Sequence, residues 1–136
     1  MKVFTYGTLL QGQCRGHVLG TEHFLGKATT KPLYQMYHIE GAGDVGYPAL
    51  VECQDGGYCV HGEIYEISAS KLLELDAIEG EPWLYRRKTI ELQENEPIYG
   101  YIYQQDVSGK LEIKGGCWRS FVEEGVFGNE SVEPQT

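Results

Sequence analysis

The sequence predicts a mostly β domain of the α+β class, and three observations carry that reading. Gly supplies 18 of the 136 residues and Tyr ten. That Gly share is nearly twice the average of about 7%, and the pairing favours twisted strands and tight turns. Short segments rich in β-branched and aromatic residues recur between clusters of turn residues. One segment only has apolar residues at near-helical intervals, a serine before it and a glycine after it.

The expected strands are Lys2–Tyr6, His23–Thr29, Leu33–Ile39, Ala49–Cys53, Tyr58–Ile67, Lys88–Gln93 and Ile98–Gln104. Turn chemistry separates them, as in DGG at Asp55 to Gly57 and NEP at Asn95 to Pro97. The helix runs from the capping Ser68 to the terminating Gly80, with Ala69, Leu72, Leu73, Ala77 and Ile78 on its apolar side. A shorter helix over Gln13 to Leu19 is weakened by Gly12, Gly16 and Gly20. From Gly125 the chain reads GVFGNESVEPQT and has little to bury. A single domain over 1–124 and a flexible tail over 125–136 are therefore expected.

Composition excludes several partner classes. The formal charge of −9 and pI near 4.8 argue against a nucleic-acid backbone or an anionic membrane surface, because both need clustered cations. The basic residues are scattered apart from Arg86, Arg87 and Lys88. No apolar run approaches the roughly 18 to 20 residues of a membrane span, and the first residues do not form a secretory signal. A soluble cytoplasmic protein is expected. Cys14, Cys53, Cys59 and Cys117 form no metal-ligand spacing; they read as reduced thiols, with no metal and no cofactor.

A literal G-x-G-x-x-G spans Gly41 to Gly46, but a dinucleotide fingerprint needs a helix to start within it. Here Tyr47-Pro48 follows and then a strand pattern, so the motif carries no such site. His17, His23, His38 and His61 fall in four elements with no neighbouring nucleophile, and Trp83 and Trp118 read as packing residues.

The carboxylates at the helix end are more informative. Asp76 and Glu79 are three apart and share a helix face, with Glu79 last before Gly80. The partial negative charge of the helix end and the like charge of Asp76 both disfavour ionised Glu79, raising its pKa toward the range of a general acid and base. The alternative is an ordinary solvated pair of acids. Beyond the EPW turn, Tyr85 and Arg87 project on one strand face, close behind that carboxylate. A further oddity is YGTLL at Tyr6 to Leu10, where a first strand stops at a glycine that supplies nothing to bury. Something approaching the backbone would explain it.

In order, YGTLL, GYPAL at Gly46 to Leu50, GEIYEI at Gly62 to Ile67, LDAIEG at Leu75 to Gly80 and the Tyr85, Arg87 pair resemble the γ-glutamylcyclotransferase-like family over about Val3 to Tyr103. The short YGTLL form is more similar to the γ-glutamylamine and avirulence-induced branches than to the glutathione-degrading branch. The resemblance implies a small mixed central β-barrel flanked by short helices, with a pocket at one end. It implies a loop, Tyr6, Gly7, Thr8 and Leu9, that binds a γ-glutamyl group, with Tyr85 and Arg87 nearby, and Glu79 as catalytic acid and base. The implied reaction closes the substrate's α-amine onto its γ-carbonyl, giving 5-oxoproline and releasing the linked amine. Backbone amides in the loop would let an acidic protein hold an anionic substrate. Two alternatives stay open: a binding module for a γ-glutamyl metabolite or protein partner, and removal of a γ-glutamyl protecting group from a biosynthetic intermediate.

Overall fold

The computed structural model describes residues 1–41 and 45–124. Among the described residues, eight strands and two α-helices follow in chain order: β1 (Lys2–Thr5), β2 (His23–Thr29), β3 (Tyr34–Ile39), β4 (Tyr47–Glu52), β5 (His61–Glu66), α1 (Ala69–Glu79), β6 (Tyr85–Ile90), β7 (Ile98–Tyr103), β8 (Leu111–Glu112) and α2 (Trp118–Glu124). A five-stranded sheet has the order β2-β5-β1-β7-β6 and a three-stranded sheet the order β4-β3-β8. The mostly β, α+β reading holds.

β1 is the middle strand of the larger sheet, antiparallel to β5 through Val3 and Tyr65 and parallel to β7 through Val3 and Tyr99. Its alternating side chains feed two cores. Phe4 packs in a cluster with Met36, Leu50, Val60, Trp118 and Phe121, while Val3 joins Leu19, Tyr65, Leu72, Leu75 and Tyr101. Full burial of such a side chain stabilises by about 1.5–3 kcal/mol, so these cores fix β1 from both faces. The residues just after β1 thus leave from a rigid base.

The expected central barrel is not closed. The outer strands β2 and β6 share no ladder; they meet just beyond their ends, in one antiparallel bridge between Thr30 and Leu92. Lys31 N donates to Glu91 O and Gln93 N to Thr29 O beside it, so the sheet comes together at one corner without a continuous seam.

Helix α1 begins and ends as its sequence predicts. Ser68 Oγ accepts from Lys71 N at 3.1 Å. Gly80 takes the left-handed conformation (φ 66°), and Gly80 N and Glu81 N return to Ala77 O and Asp76 O, the Schellman arrangement. Leu72 and Leu75 are buried against the β1 side of the sheet, which sets the direction in which Glu79 leaves the last turn.

Several expected boundaries move. β6 starts at Tyr85 rather than Lys88, because Tyr85 already pairs with Tyr103. β5 starts at His61 rather than Tyr58, since Tyr58 joins Tyr34 in an isolated bridge instead. β4 starts earlier, at Tyr47, directly after Gly46; a strand stands where a dinucleotide fingerprint would need a helix. The short helix expected over Gln13 to Leu19 reduces to a single 3₁₀ turn, Gly16–Leu19. Trp118 is fully buried, as expected for a packing residue, but Trp83 is 74% exposed and packs little. The expected tail at 125–136 lies outside the described residues. No helix among the described residues is long and apolar enough to cross a membrane.

Candidate active site

Where β1 ends, residues 6–15 form a compact loop of successive turns. Leu10 N donates to Gly7 O at 3.0 Å, and Arg15 N donates to Thr8 O at 2.8 Å. A buried carboxylate clasps the same loop from β5. Glu63, 2% exposed, accepts from Gln11 N at 3.0 Å and from Arg119 Nη2 at 3.1 Å, while Arg119 Nη2 also donates to Gln11 O at 2.6 Å. The main-chain amides of Gly7, Thr8 and Leu9 have no acceptor among the described residues. They are free donors on a loop held from both sides.

The glycine at position 7 has a packing reason. A Cβ there would overlap Pro48 Cγ and lie 2.7 Å from Pro48 Cδ. The close neighbour of the Gly7 Cα is thus the start of strand β4, and packing against Pro48 accounts for a glycine there.

Beside this loop is a small cavity of about 100 Å³, lined among others by Thr5, Gly7, Thr8, Arg15, Pro48 and Glu79. That is well below the roughly 300–1,000 Å³ of drug-sized pockets, so it suits one small group. Glu79 closes one side. Its side chain is 13% exposed, and burial pushes its carboxyl up to about 7; the Arg15 guanidinium, 3.9 Å away, pulls it the other way. The raised value was expected, but its cause was not. Asp76 is no free like charge and no solvated acid: Oδ2 accepts from Arg87 Nη1 at 2.5 Å and Oδ1 from Tyr101 Oη at 2.6 Å. Desolvation of Glu79 itself is the first cause.

The expected loop residues Tyr6, Gly7, Thr8 and Leu9 all line the cavity, as does Tyr85. The two phenols are already committed: Tyr6 Oη donates to Tyr101 O at 2.7 Å and Tyr85 Oη to Pro48 O at 2.5 Å. Burial and the Glu79 charge push both phenol pKa values up, so they stay protonated and act as walls that tie strands together. Arg87 is not among the lining residues. Its guanidinium pairs with Asp76 and lies 5.2 Å from the Tyr99 ring centroid, behind the site rather than in it.

Two lining residues carry no sequence signal. Arg15 comes from a glycine-rich turn with no periodicity to aim it. Thr5, 3% exposed, has an Oγ1 without a hydrogen-bond partner among the described residues. The clasp residue Glu63 stands in the run Gly62 to Tyr65, buried throughout, and its trace in the sequence is an acid beside the apolar Ile64 and Tyr65. Among the described residues, no group of three or more His, Cys, Asp or Glu is placed to hold a metal ion.

Comparison with known proteins bears on this site. Residues 3–120 match the family model described as "Gamma-glutamyl cyclotransferase, AIG2-like". A Vibrio cholerae protein with a provisional gamma-glutamylcyclotransferase name is 40% identical over 116 residues, covering 85% of this chain and 93% of its own. The rat gamma-glutamylaminecyclotransferase is 33% identical over 96 residues, 67% of this chain and 62% of its own. Among solved structures, the Escherichia coli ytfP solution structure superposes with a TM-score of 0.63 at 31% identity, covering 87% of this chain and 96% of that one. With its match running from the first strand into α2, the chain belongs to the AIG2-like gamma-glutamyl cyclotransferase family.

Proposed function

We propose that the protein cyclises the γ-glutamyl group of a γ-glutamyl amine to 5-oxoproline and releases the linked amine, with Glu79 as general base and then general acid. One observation carries the reading: a carboxyl with a pKa near 7 stands in a small cavity beside a loop with three unpaired amides. The name of the rat relative favours an amine as the released partner.

The chemistry needs no nucleophile from the protein, because the substrate brings its own. Glu79 takes a proton from the α-ammonium, and the freed amine attacks the γ-carbonyl, forming the ring C–N bond. The tetrahedral intermediate collapses with cleavage of the exocyclic C–N bond. The two protons lost by the ammonium end on the leaving nitrogen, the first delivered by Glu79. The amides of Gly7, Thr8 and Leu9 are donors for the oxygens of the substrate.

Holding the two reacting groups together is the larger part of the task, since oriented intramolecular attack reaches effective molarities of about 10^5 M and above. Acid-base help adds about 10^2–10^4 in rate, and one oxyanion donor about 3 kcal/mol. No step calls for a metal or nucleotide. Incubation with a panel of γ-glutamyl amines and γ-glutamyl amino acids, measuring 5-oxoproline with and without chelator, tests the reading. Product from at least one amine, insensitive to chelator, is expected; no 5-oxoproline across the panel would overturn it.

A further inference from the structure

We propose that Arg15 is the specificity-determining residue that receives the substrate's α-carboxylate, so that Arg15 and Glu79 together recognise the α-amino acid zwitterion of the γ-glutamyl group. The inference rests on the reaction proposed above and adds a residue and a selection rule to it.

Four observations carry it. Among the described residues, Arg15 is the one cation lining the cavity, in a chain whose net charge of −9 would otherwise repel a carboxylate. Its guanidinium is half-exposed and has no hydrogen-bond acceptor among the described residues; its one ion pair, with Glu79, is long at 3.9 Å. The arginines around the site but outside its lining are spent, Arg87 on Asp76 and Arg119 on Glu63 and Gln11 O. Arg15 N donates to Thr8 O, so the same turn that presents the free loop amides also fixes the Arg15 backbone.

The geometry has a chemical complement. In an α-amino acid, the ammonium and carboxylate share one carbon and lie a few ångströms apart. A cation and an anion separated by 3.9 Å present the inverse pattern. With the carboxylate on Arg15, the ammonium falls toward Glu79, the group that must take its proton. A guanidinium also offers a planar fork that a carboxylate can accept in two bonds, unlike a lysine ammonium. Recognition and proton abstraction become one event: a γ-glutamyl group with its carboxylate blocked loses the anchor that brings its amine to the base.

The test compares a γ-glutamyl amine with its α-carboxamide analogue, on the parent protein, Arg15→Gln and Arg15→Lys. The parent should prefer the carboxylate substrate by about 10- to 100-fold in kcat/KM, the range of a charge-assisted contact. In Arg15→Gln that preference should collapse to within about threefold of unity, and Arg15→Lys should restore part of it. Removing the Arg15 charge also alters Glu79, but that change acts on both substrates alike, so the ratio isolates carboxylate recognition. A preference that survives in Arg15→Gln, or no preference in the parent, overturns the proposal.

Calorimetry with L-5-oxoproline and 2-pyrrolidinone, which differ by the carboxylate, separates this outcome from failure of the reaction itself. A parent that turns over nothing yet binds L-5-oxoproline in an Arg15-dependent way sinks the proposed reaction and keeps the Arg15 site. Binding of L-5-oxoproline that is absent in the parent, or indifferent to Arg15→Gln, sinks the site. Arg15 is half-exposed, and a melting curve for each variant checks that the fold is intact.

Discussion

Asp76 and Arg87 meet at 2.5 Å one helical turn before Glu79, with Tyr101 Oη on the other carboxylate oxygen at 2.6 Å. The pair cancels a negative charge that would otherwise stand beside the proposed base. Arg87→Ala should therefore release the Asp76 charge, disfavour ionised Glu79 further and move the acid limb of the kcat/KM profile to higher pH. The limb should rise through about pH 7 in the parent, because the base must be ionised to accept a proton. KM should change little, since Arg87 does not line the cavity. Loss of a charged hydrogen bond should also lower stability by about 1.5–3 kcal/mol. Parallel pH–rate profiles check this, and an unmoved acid limb would show that Glu79 does not feel Asp76.

Gly7→Val tests the loop differently from what the sequence alone suggests. There the glycine reads as space for substrate, so a branched side chain should harm binding more than folding. The overlap with Pro48 reverses that order. Overpacking of this kind typically costs about 1–3 kcal/mol, so the melting temperature should fall first. Gly7→Ala, with a single methyl against Pro48, should show a smaller loss in the same direction. Unchanged melting in both variants would mean that β4 moves away freely, and the packing account would fail.

The contrast shows what a sequence makes legible. Helix α1 was readable to its caps because Ser68 and Gly80 act locally, through bonds to residues within a few positions. Glu79 was readable as a helix-end carboxylate, but not the reason for its raised pKa, because burial is set by the loop after β1 and by β4, distant in sequence. Arg15, Thr5 and Arg119 were invisible for the same reason. Each matters through a partner or a cavity that only the sheet order brings near. The closed barrel failed at one seam: whether β2 and β6 zip together or touch at Thr30 and Leu92 depends on sheet curvature, which no local pattern encodes. α2 was missed because its seven residues are too few for helical periodicity to emerge.

The clasp on the loop after β1 should be energetically lopsided. Glu63 is 2% exposed whereas Arg119 keeps 31% of its side chain in water, so removing the arginine leaves a buried carboxylate without its counter-charge. Arg119→Ala should cost about 1.5–3 kcal/mol, the range of a hydrogen bond to a charged group, because Gln11 N and Tyr65 Oη still donate to Glu63. Adding Glu63→Gln to it should recover part of that loss, because the neutral amide needs no counter-charge. A double-mutant cycle of denaturant unfolding decides it, and simple additivity of the two losses would show that the pair is not coupled.

Glu79→Gln separates chemistry from structure through pH. The folded-state pKa of about 7 lies above the ordinary 4.5, so the folded protein keeps a proton that the unfolded chain gives up between those values. The stability this carboxyl contributes is complete below about pH 4.5 and is lost as pH rises through 7. Above that, the buried charge is a penalty on the order of 3 kcal/mol. Replacing Glu79 by Gln removes the titration while keeping the size. The variant should melt close to the parent at pH 4 and increasingly above it from pH 5 to pH 9, with the gap levelling beyond pH 8. Its 5-oxoproline release should fall at least a hundredfold, within the general acid-base range of about 10^2–10^4. Gaining stability while losing turnover is the mark of a group kept for its chemistry against the preference of the fold. A melting gap that stays flat with pH would mean that the carboxyl is solvated, and activity within tenfold of the parent would remove Glu79 from the mechanism.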